Sequence, residues 1–157
     1  MNEAVDWKVW QMINDQIQSL ADALDRADLP GILEIFTDDA VWDYAPGGVR
    51  QGKQAIAAFF TERLNLMAQS SHFVGPPVVR SDPTGGGFVS TSYLIANHIM
   101  RDGKTYTGHG RYLDYFQPHK GSLLISRRKI VAIWCKAGRR KCISCNGSKN
   151  ERFHASR

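Results

Sequence analysis

The chain has 157 residues, 43% of them apolar and 22% charged, which suits one globular domain with a core of its own and leaves little room for a second. Its three cysteines, Cys135, Cys142 and Cys145, all lie late, and an odd count with none in the body argues against a disulfide framework. The formal net charge of +5 is unevenly spread: residues 1–119 hold 9 Lys/Arg against 14 Asp/Glu, whereas residues 120–157 hold 11 Lys/Arg and the single acid Glu151, so the basic character belongs to the tail and is no argument for a nucleic-acid-binding domain.

In chain order, the first element is an amphipathic helix. Trp10, Ile13, Ile17, Leu20, Leu24 and Ala27 recur at helical spacing and predict a helix over about 6–26. Asp28-Leu29-Pro30 predicts a second helix start, with Asp28 as N-cap and Pro30 in the first turn, ending near Thr37-Asp38. A strand is expected over 40–44, then a turn at Pro46-Gly47-Gly48 and a third helix over 52–67 carrying Ile56, Phe59, Phe60, Leu64 and Met67 on one face.

From there the period changes to two. A strand is predicted over 72–79, losing regularity at Pro76-Pro77. Long strands over 88–100 and 105–116 flank Arg101-Asp102-Gly103-Lys104, a strong hairpin signal. A turn at 118–121 leads to a last strand over 122–134. Helices set apart from an antiparallel sheet define an α+β fold, here one domain over 1–134 with a basic, loose tail over 135–157. No run of about 18 apolar residues is present. The N-terminus has no signal-peptide pattern. A cytoplasmic protein is expected.

Several residues could carry chemistry. Asp25 sits at the edge of the buried stripe of the first helix. His72 opens an apolar strand, where a polar ring needs a partner. A carboxylate accepting the proton of one ring nitrogen fixes the tautomer and frees the other nitrogen as a base. The plainer alternative is a solvated helix-end acid and a hydrogen-bonded strand histidine. Alternation sends one of Arg127 and Arg128 inward and the other outward. Trp42 and Tyr44 share a strand face and could line a pocket, Tyr44 as a proton donor. His98 and His109, counted from the Asp102-Gly103 turn, are expected as near neighbours across the ladder, with small residues beside them leaving room for a ligand. No His-x-His or His-x₃-His pattern supports a metal made from His72, His98 and His109, and none is expected. Cys142-Ile143-Ser144-Cys145, with Cys135 and His154, could supply four zinc ligands but lacks the apolar residues that pack small zinc modules. There is neither a phosphate-binding glycine loop nor a Gly-x-Ser-x-Gly elbow.

Asp25-Arg26-Ala27-Asp28-Leu29, Ile35-Phe36-Thr37-Asp38-Asp39-Ala40-Val41-Trp42 and Gly52-Lys53-Gln54-Ala55-Ile56, in this order, resemble the SnoaL-like group of the nuclear transport factor 2-like superfamily over about residues 6–134. The resemblance implies a cone-shaped half-barrel in which a curved antiparallel sheet wraps the N-terminal helices. It also implies a homo-oligomer, trimer or dimer, formed through the open sheet face. By likeness to the dehydratase and dehydrochlorinase members of the group, Asp25 and His72 take the places of an acid–base pair. Arg128 takes that of an inward arginine on the last strand, Tyr44 that of an active-site tyrosine, and His98 that of a second histidine. The implied activity is a cofactor-independent lyase. His72, oriented by Asp25, would eliminate water, halide or a small fragment from a small apolar, cyclic or aromatic substrate, with Trp42, Phe59, Phe60, His109 and Tyr112 around it. Isomerase or hydrolase chemistry, or a non-catalytic binding or assembly domain, are the alternatives. Membrane and nucleic-acid partners are not expected.

Overall fold

The computed structural model describes residues 5–44 and 47–138. Helix α1 (Trp7–Asp25) begins where Asp6 caps it, its Oδ1 accepting the Lys8 N–H at 2.7 Å. Its apolar stripe is buried at Ile13, Ile17, Leu20 and Leu24. Ala27, at φ 54°, breaks the helix, and the Asp28 N–H returns to the Ala23 carbonyl. Asp28 then caps α2 (Leu29–Glu34) by accepting the Gly31 N–H, with Pro30 in the first turn as expected.

Helix α2 stops three residues earlier than its apolar run suggests. Strand β1 (Phe36–Tyr44) starts at Phe36 because Phe36 pairs with Ile125 of the last strand, whose N–H binds the Ile35 carbonyl. A short apolar segment fits helix or strand equally, and the partner strand decides. After β1 come β2 (Gly48–Gln51), which the sequence reading lacks, α3 (Lys53–Leu66) and β3 (Met67–Val74). Next are β4 (Val78–Ser81), β5 (Phe88–Met100), β6 (Thr105–His119) and β7 (Ser122–Ala137). Gly75-Pro76-Pro77 divides the expected single strand into β3 and β4, which pair with successive stretches of β5.

The seven strands form one curved, unclosed sheet in the order β2-β1-β7-β6-β5-β3, with β4 also on β5. The α+β class holds. The sheet is not antiparallel throughout, however, because β1 lies parallel to β7. The chain between them is long enough for the crossover that a parallel pair requires. The β6–β7 hairpin turns on Lys120 and Gly121, both with positive φ. Higher up, the β6–β7 register shifts between His109 and Gly110. A side chain at Gly110 would meet the Val131 carbonyl at 2.8 Å, so only glycine lets the two strands approach at this bulge.

The core lies between the helices and the concave face. Ile13, Ile17 and Leu20 of α1 meet Ile32, Phe36, Ile56, Phe116 and Ile125 there, all fully buried. Among the described residues no helix is long and apolar enough to cross a membrane.

Candidate active site

Asp25 closes α1, and α1 packs on β3. That contact brings the carboxylate onto the strand carrying Ser70 and His72, which two-residue alternation puts on one face. His72 Nδ1 lies 2.7 Å from Asp25 Oδ1, and the His72 backbone N–H donates to Oδ2 at 2.8 Å. The Ser70 hydroxyl donates to Oδ1 at 3.0 Å. Burial alone would raise the Asp25 pKa, but the bonds from the His72 ring, the His72 backbone and Ser70 outweigh it and hold the carboxyl below its ordinary range. An ionised carboxylate only accepts, so Nδ1 carries the ring proton and the lone pair is on Nε2. The His72 side chain is 9% exposed and the Asp25 side chain 28%. Ser70 was not anticipated, although its phase with His72 was readable.

His72 stands in the wall of a cavity of about 470 Å³ whose lining is mainly apolar. Trp42, Tyr44, Phe59, Phe60 and Tyr112 all line it. Trp42 and Tyr44 do share a face of β1, and the rings of Trp42, Phe59 and Phe60 pack on one another. Tyr112 is 3% exposed, and burial pushes its phenol up to about 12, so the hydroxyl keeps its proton.

His98 faces the same cavity, its ring edge-on to His72 with centroids 5.2 Å apart. Its Nδ1 is buried with no partner among the described residues. Burial first, then electrostatic interaction with His72 and Arg63, lowers its pKa from 6.5 to about 4, so the imidazole is neutral near pH 7. This fixes the sign of a pH effect. As pH falls below 6.5 the unfolded chain binds a proton that the folded chain refuses until about pH 4. Stability contributed by the neutral ring is therefore complete above the unfolded value and lost on acidification through that window. Between pH 7 and pH 4.5, urea unfolding of the wild type is expected to lose on the order of 2 kcal/mol more than that of His98→Phe. Equal losses in the two proteins would contradict it.

Two expected site residues are placed differently. Arg128 does point inward and Arg127 outward, but the Arg128 guanidinium does not line the cavity. It is fully buried, with Nε and Nη2 bonded to the two oxygens of Asp114, each at 2.6 Å. Its Cζ sits 3.9 Å from the centroid of the Tyr112 ring, so Tyr112 lies against it. Burial opposes both charges and raises the Asp114 carboxyl above its ordinary value. The field and hydrogen bonds of Asp114 nevertheless outweigh burial at Arg128 and keep it charged, and a two-pronged bond of this geometry pairs a carboxylate with a guanidinium. Its Nη1 has no partner among the described residues, but a guanidinium held on Asp114 behind the cavity wall is out of reach of a leaving group. Asp114 escaped notice, although it is in phase with Tyr112 and Phe116 on the inward face of β6 and opposite Arg128.

His109 borders the cavity but is not across the ladder from His98. His98 pairs with Tyr106, and His109 with Ile95. The Met100 N–H bonds to the Lys104 carbonyl, so an odd count of three loop residues, Arg101 to Gly103, sets this register. It leaves the two histidines three positions out of step and therefore on opposite faces. The His109 ring stacks edge-on against Trp134, which is 50% exposed. Cys135 lines the cavity, while Cys142, Cys145 and His154 lie outside the described residues.

The sequence profile of the SnoaL-like domain matches residues 11–129. No curated protein matches the chain. Among solved structures, a candidate aromatic ring hydroxylase of Novosphingobium aromaticivorans is similar at 22% identity and a TM-score of 0.80, covering 86% of this chain and 96% of its own. A candidate scytalone dehydratase of the same organism is 16% identical with a TM-score of 0.76, covering 89% and 94%. A type 2 hexachlorocyclohexane dehydrochlorinase is 11% identical with a TM-score of 0.73, covering 88% and 94%. At these identities the likeness is one of fold.

Proposed function

The chain belongs to the SnoaL-like family, and from that premise we propose that it is a cofactor-independent lyase for a small cyclic or aromatic molecule, with His72 as base and Asp25 as its orienting partner. The observation that carries this reading is the 2.7 Å bond between Asp25 Oδ1 and His72 Nδ1, made at the wall of a mainly apolar cavity. The second carboxylate oxygen is tied to the backbone of the same histidine. The acid therefore fixes both the ring and the strand that carries it, which is how a base is preorganised.

In the proposed step Nε2 takes a proton from the substrate carbon next to the one bearing the leaving group. The C–H electron pair becomes the new double bond. The carbon–leaving-group bond breaks, and its electrons depart with the oxygen or halide. Asp25 stabilises the imidazolium that forms, and that imidazolium later returns its proton to solvent. Tyr44, Tyr112 and the neutral His98 are the groups that can hydrogen-bond the departing atom. Each lines the cavity. The dehydratase and dehydrochlorinase named among the similar folds support elimination. Isomerisation would use the same base and return the proton at a second carbon.

The test separates the base from the leaving group. In D₂O the protein is expected to exchange the hydrogens next to the carbonyl of 2-tetralone, and scytalone and hexachlorocyclohexane are assayed in parallel for elimination. Asp25→Asn should slow exchange at least about tenfold, because the amide no longer stabilises the imidazolium and favours the wrong tautomer. Exchange at the same rate in Asp25→Asn and wild type would remove the pair from the mechanism.

A further inference from the structure

Acid–base chemistry at His72 leaves two cavity-lining cations unused. Arg50 lies on β2 and Arg63 on α3, and both line the cavity while half-buried. They converge on one ring: the Arg50 Cζ is 5.1 Å and the Arg63 Cζ 5.9 Å from the centroid of Phe59. Arg63 also lies 5.9 Å from the Tyr44 ring. Both guanidinium groups are therefore held against the aromatic wall rather than extended into solvent.

Neither makes an ion pair among the described residues. Glu62 lines the same cavity and is the sequence neighbour of Arg63, yet it bonds to neither arginine. Arg50 Nη1 donates to the Gly47 carbonyl at 2.7 Å, with the Val49 carbonyl at 3.5 Å, and its other nitrogens meet no acceptor among the described residues. A cation near a helix C-terminus commonly serves the last carbonyls, but in α3 that task falls to Arg101. Its Nε donates to the Asn65 carbonyl and its backbone N–H to that of Leu66.

Two like charges beside one ring repel, and half-burial weakens their hydration. Stacking on an aromatic face offsets part of this. An anion between them would offset the rest. The planar fork of a guanidinium matches a carboxylate in particular, oxygen for nitrogen. The rest of the lining is apolar and aromatic, suited to a ring.

We propose that the molecule processed in this cavity is a cyclic or aromatic acid whose carboxylate is held by Arg63 and Arg50 while its ring lies against the aromatic wall that Phe59, Phe60 and Trp42 form. The inference rests on the reading of the cavity as the active site and narrows its substrate class. Arg63 and Arg50 act as specificity residues. They select the anionic ligand and hold one end of it while the other faces His72.

Two ligands of one shape test it: 1-naphthoate and its uncharged counterpart 1-naphthamide, titrated calorimetrically into the full chain. Naphthoate is expected to bind about tenfold more tightly, with the difference shrinking as salt rises. Arg63→Gln should remove most of the preference, and the Arg50→Gln/Arg63→Gln double variant all of it. Naphthamide affinity should stay unchanged, which doubles as the control for folding. Equal affinities in the wild type, a preference that survives in the double variant, or no naphthoate binding at millimolar concentration would each overturn the proposal. His72→Ala separates it from the acid–base reading. If that variant loses 2-tetralone exchange while naphthoate shows no preference in the wild type, the anion site alone falls. If it keeps full exchange while the preference stands, the base assignment alone falls.

Discussion

Replacing His72 by alanine is expected to slow exchange of 2-tetralone hydrogens about 10²–10⁴-fold, the usual contribution of a positioned base. The loss should exceed that of Asp25→Asn, because alanine removes the group that takes the proton, whereas asparagine leaves it in place but poorly oriented. The same substitution opens a space beside an intact acceptor, since Asp25 keeps its bond from Ser70. Free imidazole added to His72→Ala should therefore restore part of the rate, and should do so less well when Asp25→Asn is also present. The fold is expected to tolerate the change, because the His72 backbone N–H still reaches Asp25 Oδ2. An unchanged circular dichroism melt would show this. Wild-type exchange rates in His72→Ala would end the assignment.

The second large effect concerns stability. Asp114→Asn is expected to cost about 3–5 kcal/mol in urea unfolding, because it leaves the Arg128 charge buried without its counter-ion. Both side chains are fully inaccessible to solvent, so water cannot take over the missing role. The double variant Asp114→Leu/Arg128→Met should recover most of the loss, since an apolar pair of similar volume carries no desolvation penalty. Tyr112 packs on this guanidinium and also forms part of the cavity wall. The pair thus sits behind the site as a support. An unfolding midpoint in Asp114→Asn equal to that of the wild type would refute this account.

Much of the architecture was legible because local signals agreed with the tertiary result. The stripe of α1, the Asp28 cap with Pro30, and the Asp102-Gly103 hairpin all lie where their chemistry puts them. The pairing of Asp25 with His72 rests in the sequence mostly on the family resemblance; a helix-end acid and a strand histidine by themselves make the bond chemically sensible without specifying it. What escaped was non-local. The strand character of Phe36 depends on Ile125, far along the chain. The parallel direction of β7 beside β1 leaves no local mark. His109 was misplaced because a ladder register changes by whole residues, and an odd error exchanges the two faces of a strand. The inward turn of Arg128 leaves its partner unspecified, and the readable clue to that partner is the inward phase of Asp114 beside Tyr112 and Phe116. Arg50 and Arg63 belong to different elements, and only the packing of Phe59 shows them as a pair.

The parallel pairing of β1 with β7 bears on how the chain is made. Strand β7 is the last element among the described residues and yet lies inside the sheet, between β1 and β6. While the polypeptide emerges from the ribosome, the first helices and the β1–β2 hairpin have no sheet to rest on. Strands β3 to β6 can pair among themselves, but β6 keeps an open edge until Ser122–Ala137 arrives. Contacts of such long sequence separation make folding slow. They also make the nascent chain depend on β7, and any product stopped before it would carry two additional unpaired strand edges, on β1 and β6, each a template for aggregation.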